Sequence, residues 1–368
     1  MHRLIAIDLP PSQEFVNQVS RIWADGDAVL PLDQRLAPQL RVALAQEFGA
    51  SQVVHESSTT ELESGVTMRA GEALVIATSG STGEPKGVVH THETLRSSAV
   101  ASTKALGLTG NEHWLVCLPV SHIGGFSVIT RADHTGASLT LHETFEAQRV
   151  EDAARKGCTH VSLVPTALRR VDASLFAHIL LGGQAAPPQL PSNVTVTYGS
   201  TETGGGIAYN GHALPGVSLR IEEGEIQVQS PSLFVRYIGD QDTRVINGWF
   251  GTGDAGQIVN DRLEVTGRLS DMIISGGENI WPQRLEQLLR GLDHVEDVAV
   301  IGVEDPEWGQ VVEVYLETSS TISRDTIRGL VIDHLPHYYV PKTIHCVAKF
   351  PRTTIGKVDK ATLATLAR

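Results

Sequence analysis

Short apolar runs alternate with longer amphipathic stretches along most of the chain, and their spacing sorts them into elements. Residues 1–68 are weakly patterned. Only a helix over 36–48, stopped by Gly49, and a strand over 52–55 stand out there. The run Ala-Leu-Val-Ile-Ala at 73–77 then reads as a buried strand. Beyond it the spacing predicts a helix over 93–106 with Gly107 as its stop, a strand over 114–118 and a helix from Ile123 onward. A strand over 137–141, a helix over 146–156, a strand over 160–164, a helix over 166–171 and a strand over 178–181 continue the rhythm. Such alternation predicts an α/β fold built on a mostly parallel sheet, with ligands off the carboxyl ends of the strands. From about 216 to 266 the pattern changes to short strands, 218–221, 225–229 and 262–266, joined by Gly and Asn turns, an antiparallel and barrel-like unit. Helices over 282–292, 324–335 and 360–366 and strands over 298–301 and 311–316 then form a small α+β domain beginning near Arg268. The expected organisation is a large domain over 1–267 and a small one over 268–368.

The 368 residues are too many for one small core, and an apolar fraction of 41% suffices to fill two or three. A net charge of -13 argues against a general nucleic-acid or anionic-membrane surface, so an anionic ligand has to be met locally. Cys117, Cys158 and Cys346 are far apart with no C-x-x-C pairing, which predicts three buried thiols rather than a disulfide scaffold or zinc site. The apolar patch at 4–7 is too short for a signal-peptide core, and no run approaches the ~20 apolar residues of a membrane span. A cytoplasmic location is expected.

The stretch Thr-Ser-Gly-Ser-Thr-Gly-Glu-Pro-Lys-Gly at 78–87 leaves the strand over 73–77. Glycines let successive N–H groups point at one centre, the hydroxyls of Thr78, Ser79, Ser81 and Thr82 add donors, and Lys86 adds charge. That is a cradle for polyphosphate, without the G-x-x-x-x-G-K-[ST] order of Walker A. Tyr198-Gly-Ser-Thr-Glu-Thr203 offers an aromatic face for a purine and a carboxylate beside hydroxyls, a hard-oxygen site suited to Mg²⁺. Asp254 sits between glycines in what reads as a turn, and Lys357 in a Gly-Lys turn near the C-terminus. His122 follows a strand and precedes a helix, and no G-x-S-x-G context supports a hydrolytic triad.

The stretch 78–87 resembles the phosphate loop of the adenylate-forming enzymes, the group of acyl-CoA synthetases, aryl-CoA ligases and adenylation domains. Residues 198–203, 252–256, 267–279 and 351–357 resemble that family's other signatures, in its order. The family commonly carries a longer segment ahead of the phosphate loop, so the chain resembles a version shortened there. The resemblance implies an ATP- and Mg²⁺-dependent ligase that converts a small carboxylic acid to an acyl-adenylate and then to a CoA thioester, with no nucleic-acid or membrane partner; it admits a homodimer. It implies that Thr78, Ser79, Gly80, Ser81, Thr82, Gly83 and Lys86 receive the phosphates. Tyr198, Gly199, Ser200, Thr201 and Gly183 would flank the nucleotide, and Asp254 and Arg268 would bind it. Glu202 and Thr82 would hold the metal, and Lys357 would act in adenylation. Ser270, where Asp or Lys is more usual, takes the hinge position, and Gly276 and Gly277 would admit the pantetheine arm of coenzyme A. His122, Gly182 and Gly183 would border the acyl group. The stretch 159–170 resembles the members that activate o-succinylbenzoate for menaquinone biosynthesis, with Ser162 and Arg170 toward the acid. A second carboxylate on that substrate needs a guanidinium, and Arg170 takes the matching position; the alternative is that Arg169 and Arg170 are a solvated helix-surface pair. Benzoate-type acids and a carrier-protein acceptor are the other members' alternatives.

Overall fold

The computed structural model describes residues 2–63, 65–79, 85–239, 245–320, 322–352 and 358–366. The chain divides into two compact units. One comprises Met1–Arg220, Gln227–Phe250 and Val259–Leu263, the other Ile221–Ile226, Gly251–Ile258 and Glu264–Arg368.

Two sheets organise the first unit. One runs in the order Arg236–Tyr237, Pro85–Thr91, Glu72–Ser79, Ala28–Pro31, His2–Ile7, Gln52–Val54, Thr59–Glu61, and Thr67–Met68 also pairs with His2–Ile7. Its centre is parallel, with Leu4 opposite Ala28 and Val29 opposite Leu74. The other runs His212–Ala213, Gly205–Tyr209, Val194–Ser200, His178–Leu181, His160–Leu163, His113–Val116, Ser138–Leu141, parallel from Val194–Ser200 onward. Because successive strand residues face opposite ways, each sheet feeds two cores. Ile5, Ile7, Leu74 and Ile76 share one core with Trp114, Val116 and Leu180 of the other sheet. Phe15, Val19 and Ile22 of helix Gln13–Ala24 and Phe126 and Ile129 of helix Ile123–Thr135 fill the layer between. Leu4, Ala6, Leu30 and Val75 face away, toward Ala45 of helix Pro38–Glu47. On the second sheet Leu115, Val161, Ile179 and Leu181 meet Val150 and Ala153 of helix Ala147–Arg155.

The alternating pattern is therefore an α/β fold with mostly parallel centres, as the spacing predicts. Residues 1–68 carry far more structure than their pattern suggests. Strand His2–Ile7 is buried over its last four residues, and Ala28–Pro31 ends in a proline, which demotes a strand on sequence grounds. Ser12 caps helix Gln13–Ala24 by accepting from the Phe15 N–H, and Phe15, Val19 and Ile22 carry the i, i+4, i+7 spacing that signals it. Of the three cysteines, Cys117 and Cys158 are buried and Cys346 is exposed, so the expectation of three buried thiols fails at Cys346. It lies on strand Thr343–Val347, whose next residue in sequence faces the other way.

A third sheet runs Ser218–Glu222, Glu225–Gln229, Trp249–Val259, Val245–Ile246, with Arg262–Arg268 on Trp249–Val259. Its turns are two-residue pairs at positive φ: Glu223-Gly224, Asn247-Gly248 and Asn260-Asp261. These are the mirror-image turns that fit strand twist, which makes the region antiparallel as its Gly and Asn content predicts. Residues 221–226, 251–258 and 264–268 of it group with the second unit.

The second unit also has its own sheet. Strands Asp297–Asp305 and Gly309–Glu317 form a long antiparallel hairpin, Ile273–Ser275 and Glu278–Ile280 extend it, and Thr343–Val347 lies parallel to Gly309–Glu317. Helices Pro282–Leu289 and Arg324–His334 cover one face through Leu285, Leu289, Ile327 and Val331. Among the described residues no helix is long and apolar enough to cross a membrane.

Candidate active site

Each motif of the first unit hangs from a strand end. Both described ends of the stretch 78–87 are strand rather than loop. Strand Glu72–Ser79 turns back as Pro85–Thr91, with Thr78 opposite Lys86 and the Thr78 hydroxyl donating to the Lys86 carbonyl at 3.3 Å. Val88, Val89 and His90 are buried against neighbouring strands, so pairing extends the ladder through Lys86 and helix His92–Leu106 starts only afterwards. Gly80, Ser81, Thr82 and Gly83 lie outside the described residues.

The second motif is a hairpin too. Strand Val194–Ser200 continues through Tyr198, Gly199 and Ser200 and pairs antiparallel with Gly205–Tyr209, leaving Thr201 and Glu202 at the turn. Gly199 is obligatory: a Cβ there would stand 2.0 Å from the Gly205 carbonyl oxygen. The Ser200 N–H donates to the Thr203 hydroxyl at 2.8 Å. The Ser200 hydroxyl is buried without a hydrogen-bond partner among the described residues.

Two side chains tie these hairpins together. Tyr237, on strand Arg236–Tyr237 beside Pro85–Thr91, donates its hydroxyl to Glu202 at 3.2 Å, and its ring lies 5.4 Å from the Lys86 ammonium. His90, missed on sequence grounds as one residue of an apolar run, donates from Nε2 to the Thr201 carbonyl at 2.8 Å. Burial lowers its pKa to about 4, against the Thr201 bond and Glu202, so it is neutral. Beneath lies a bidentate pair, Arg236 to Glu72 at 2.7 and 2.8 Å. Burial alone would raise the Glu72 carboxyl; the hydrogen bonds from Arg236 and the Arg69 N–H more than offset this and hold it below its ordinary value.

The carboxyl ends of the parallel strands form a cavity of about 330 Å³. Residues 117–121 border it after one strand and Val164, Thr166, Ala167 and Arg170 after its neighbour, with 143–145 after Ser138–Leu141 and 32–35 after Ala28–Pro31 of the other sheet. This is where an open α/β sheet takes ligands. Arg170 lines it, with its guanidinium 5.2 Å from the Phe145 ring centroid, while Arg169 lines a different groove. The two arginines are thus not equivalent. Gly182 follows strand His178–Leu181 and bonds through its N–H to the Leu163 carbonyl; Gly183 follows at φ 83°, 3.5 Å from Val164 at its Cβ position. Ser162 is on the adjoining strand His160–Leu163, its carbonyl within 4.0 Å of the Cys117 sulfur. The Cys117 thiol lines the cavity, but burial and then Cys158 push it up to about 12, which rules it out as a nucleophile near neutral pH.

His122 N-caps helix Ile123–Thr135. Its Nε2 lies 2.6 Å from Arg35 Nη2 and 3.6 Å from Asp33 Oδ2. Sequence reading found no chemistry before residue 68, yet Asp33 and Arg35 line the cavity. The available signal was two charges directly after the apolar run 28–32.

In the second unit Asp254 is not in a turn. Strand Trp249–Val259 runs straight through Gly-Thr-Gly-Asp-Ala-Gly, because pairing with the flanking strands overrides the glycine content; only Gly253, at φ 75°, departs from extended backbone. Its N–H donates to Glu225 at 2.7 Å. Asp254 is 8% exposed, and Arg268 Nε meets its Oδ1 at 2.9 Å while Nη1 donates to the Thr252 carbonyl. Ser270 sits in a single turn, Leu269–Asp271, its hydroxyl donating to Asp271 at 3.1 Å. Gly276 N–H donates to the Trp308 carbonyl, and Gly277 follows, both at positive φ. Lys357 lies outside the described residues. Among those described no group of three or more His, Cys, Asp or Glu side chains is arranged to hold a metal ion. One carboxylate such as Glu202 is nonetheless compatible with Mg²⁺, which is commonly bound by one or two carboxylates plus substrate phosphates and water.

The family model for AMP-binding enzymes matches residues 24–238, and that for the AMP-binding enzyme C-terminal domain matches 284–357. A 2-succinylbenzoate–CoA ligase of Listeria monocytogenes is 33% identical over 323 residues, covering 78% of this chain and 68% of that protein. One of Bacillus licheniformis is 34% identical over 326 residues, with the same shares covered. The o-succinylbenzoate CoA synthetase of Bacillus subtilis, solved with its acyl-adenylate intermediate, superposes with a TM-score of 0.86 at 28% identity, over 98% of this chain and 87% of that one. The same enzyme with ATP and a magnesium ion gives 0.87 at 28%, over 98% and 89%. Matched over more than half its length by one family model, and over residues 284–357 by the companion model, the chain belongs to the AMP-binding enzyme family.

Proposed function

We propose that this protein is an ATP-dependent acid:CoA ligase that converts 2-succinylbenzoate to its CoA thioester in menaquinone biosynthesis. The observation that carries the substrate class is the cavity at the strand ends, with Arg170 on its wall and an apolar lining that includes Phe145 and Val164. It suits an aryl acid that keeps a second carboxylate after activation. The named relatives support the same acid.

In the first half-reaction a substrate carboxylate oxygen attacks the α-phosphorus of ATP and pyrophosphate leaves, giving the acyl-adenylate. Lys86 and residues 78–83 would take the departing pyrophosphate, Tyr198, Gly199, Ser200 and Thr201 would flank the nucleotide, and Gly182 and Gly183 would border the acyl group. His122 and Ser162 would lie along that group. Mg²⁺ held by Glu202 and Thr82 would neutralise charge on the phosphates. In the second unit Asp254 would accept the ribose hydroxyls, Arg268 would hold Asp254 and reach the nucleotide, and Lys357 would stabilise charge at the α-phosphate. In the second half-reaction the thiolate of coenzyme A attacks the acyl carbonyl and AMP leaves, with Ser270 as the hinge and Gly276 and Gly277 beside the pantetheine arm. Domains over 1–267 and 268–368, a cytoplasmic location consistent with ATP and CoA as substrates, and a homodimer complete the reading; sedimentation velocity tests the last.

The test is CoA-dependent AMP release across a panel of benzoates, succinylbenzoates and aliphatic acids, repeated with a carrier protein in place of CoA. The expected result is preference for 2-succinylbenzoate with free CoA, and a selective rise in its KM in Arg170→Ala. Preference for a plain benzoate would overturn the substrate, and thioester on the carrier alone would overturn the acceptor. Lys357→Ala should abolish acyl-adenylate formation while sparing thioester formation from supplied acyl-adenylate.

A further inference from the structure

One contact joins the two sheets of the first unit at the cavity wall. Asp33 and Arg35 follow strand Ala28–Pro31, and His122 lies beyond strand His113–Val116. Asp33 is nearly buried, with a side chain 7% exposed. It grips the Arg35 guanidinium through Nε at 2.9 and 3.2 Å and Nη2 at 2.6 Å, and accepts from the Arg35 N–H at 3.0 Å. The same Nη2 meets His122 Nε2 at 2.6 Å. A guanidinium has donors and no acceptor, so it can hydrogen-bond Nε2 only as a lone pair, which puts the imidazole proton on Nδ1 and leaves the ring neutral. Burial would disfavour the Asp33 carboxylate, but the hydrogen bonds from the Arg35 guanidinium and N–H hold it far below the usual carboxylate range. The clamp is therefore charged and fixed at one end.

We propose that Asp33 and Arg35, which line the acyl cavity, are positioning residues whose guanidinium locks the neighbouring His122 as the neutral Nδ1–H tautomer. The proposal rests on the ligase reading for its consequence and on the geometry alone for the lock. A neutral imidazole next to the lining residue Ser121 adds no second cation beside Arg35, whereas an imidazolium there would pair with the incoming acid's carboxylate and hold it out of line for attack.

Nitrogen-15 NMR of histidine-labelled full-length protein, with the His122 signals assigned by His122→Gln, reads the tautomer directly. The wild type is expected to show Nδ1 protonated and Nε2 unprotonated, Arg35→Ala a mixture of tautomers, and Arg35→Lys partial recovery of the wild-type pattern. In pyrophosphate exchange, Arg35→Ala and Asp33→Asn should each raise KM for 2-succinylbenzoate about tenfold with KM for ATP unchanged, and Arg35→Ala should add little in a His122→Gln background. An unchanged tautomer in Arg35→Ala, or effects of Arg35→Ala and His122→Gln that simply multiply, would overturn the lock. Absence of exchange with any acid in the wild type would sink the ligase reading instead, and the NMR result stands apart from it.

Discussion

Two arginine–carboxylate pairs, one in each unit, share their chemistry and differ in their surroundings. Arg236 and Glu72 leave 10% and 2% of their side chains exposed, under the hairpins that carry Lys86 and Glu202. Arg268 and Asp254 leave 50% and 12%. The first pair has given up its water and is held by two short parallel bonds, so either charge alone would be stranded. The second keeps half its arginine in solvent, so little is lost when the bond opens. A pair built like the first holds a scaffold in place; one built like the second can release its carboxylate and guanidinium to a ligand.

That contrast can be broken in descending order of effect on stability. Arg236→Ala should destabilise the fold by about 3–5 kcal/mol in urea unfolding, because it leaves the Glu72 carboxylate buried and unpaired. Replacing both partners by leucine should recover much of that loss; if the double variant is as unstable as the single one, the stranded charge is not the cause.

Acid should find the first unit next. His90 is neutral in the fold, with its pKa lowered by burial from 6.5 to about 4, so between those values the unfolded chain binds the extra proton. Stability is therefore full above about pH 6.5 and falls as pH drops toward 4, by on the order of 3 kcal/mol at most. Glu72, also lowered in the fold, adds a loss of the same sign only below about 4.5, where the unfolded carboxyl begins to protonate. Urea midpoints at pH 7.5 and 5 should differ in the wild type and differ less in His90→Gln, with His92, His142, His160 and His178, also lowered by burial, supplying the rest; an equal difference in both would clear His90 of the effect.

The smallest stability effect belongs to the second pair. Arg268→Ala should change unfolding free energy by about 0–1 kcal/mol, yet raise KM for ATP sharply if the pair serves the nucleotide. A large stability loss with unchanged KM would make it a scaffold pair like the first.

How far the sequence could be read follows the range of each determinant. The helix over 92–106 and the turns at Asn247-Gly248 and Glu223-Gly224 depend on neighbours in sequence, and their capping residues and glycines could be recognised directly. Strands His2–Ile7 and Ala28–Pro31 were hidden because burial on both faces removes the polar alternation that marks a strand. The stretch 78–87 and the Gly-Asp-Ala-Gly around Asp254 read as loop and turn because glycine, serine and proline dominate them, and pairing with flanking strands outweighs that local preference at Thr78, Lys86 and Asp254. Within the candidate site, Lys86, Glu202, Asp254 and Arg268 stand in motifs of fixed spacing and could be named from the chain. His90, Asp33 and Arg35 stand in none.

The alternation of apolar runs by itself determined the α/β class, and the ordered motifs determined the family, since both are written in residues close together in the chain. Only the tertiary structure decided that Arg35 meets His122, 87 residues away, and that Arg170 but not Arg169 borders the cavity. Those contacts follow from the order of strands within two sheets and from the packing between them, which depends on burial summed over the whole unit and is carried by no short stretch of sequence.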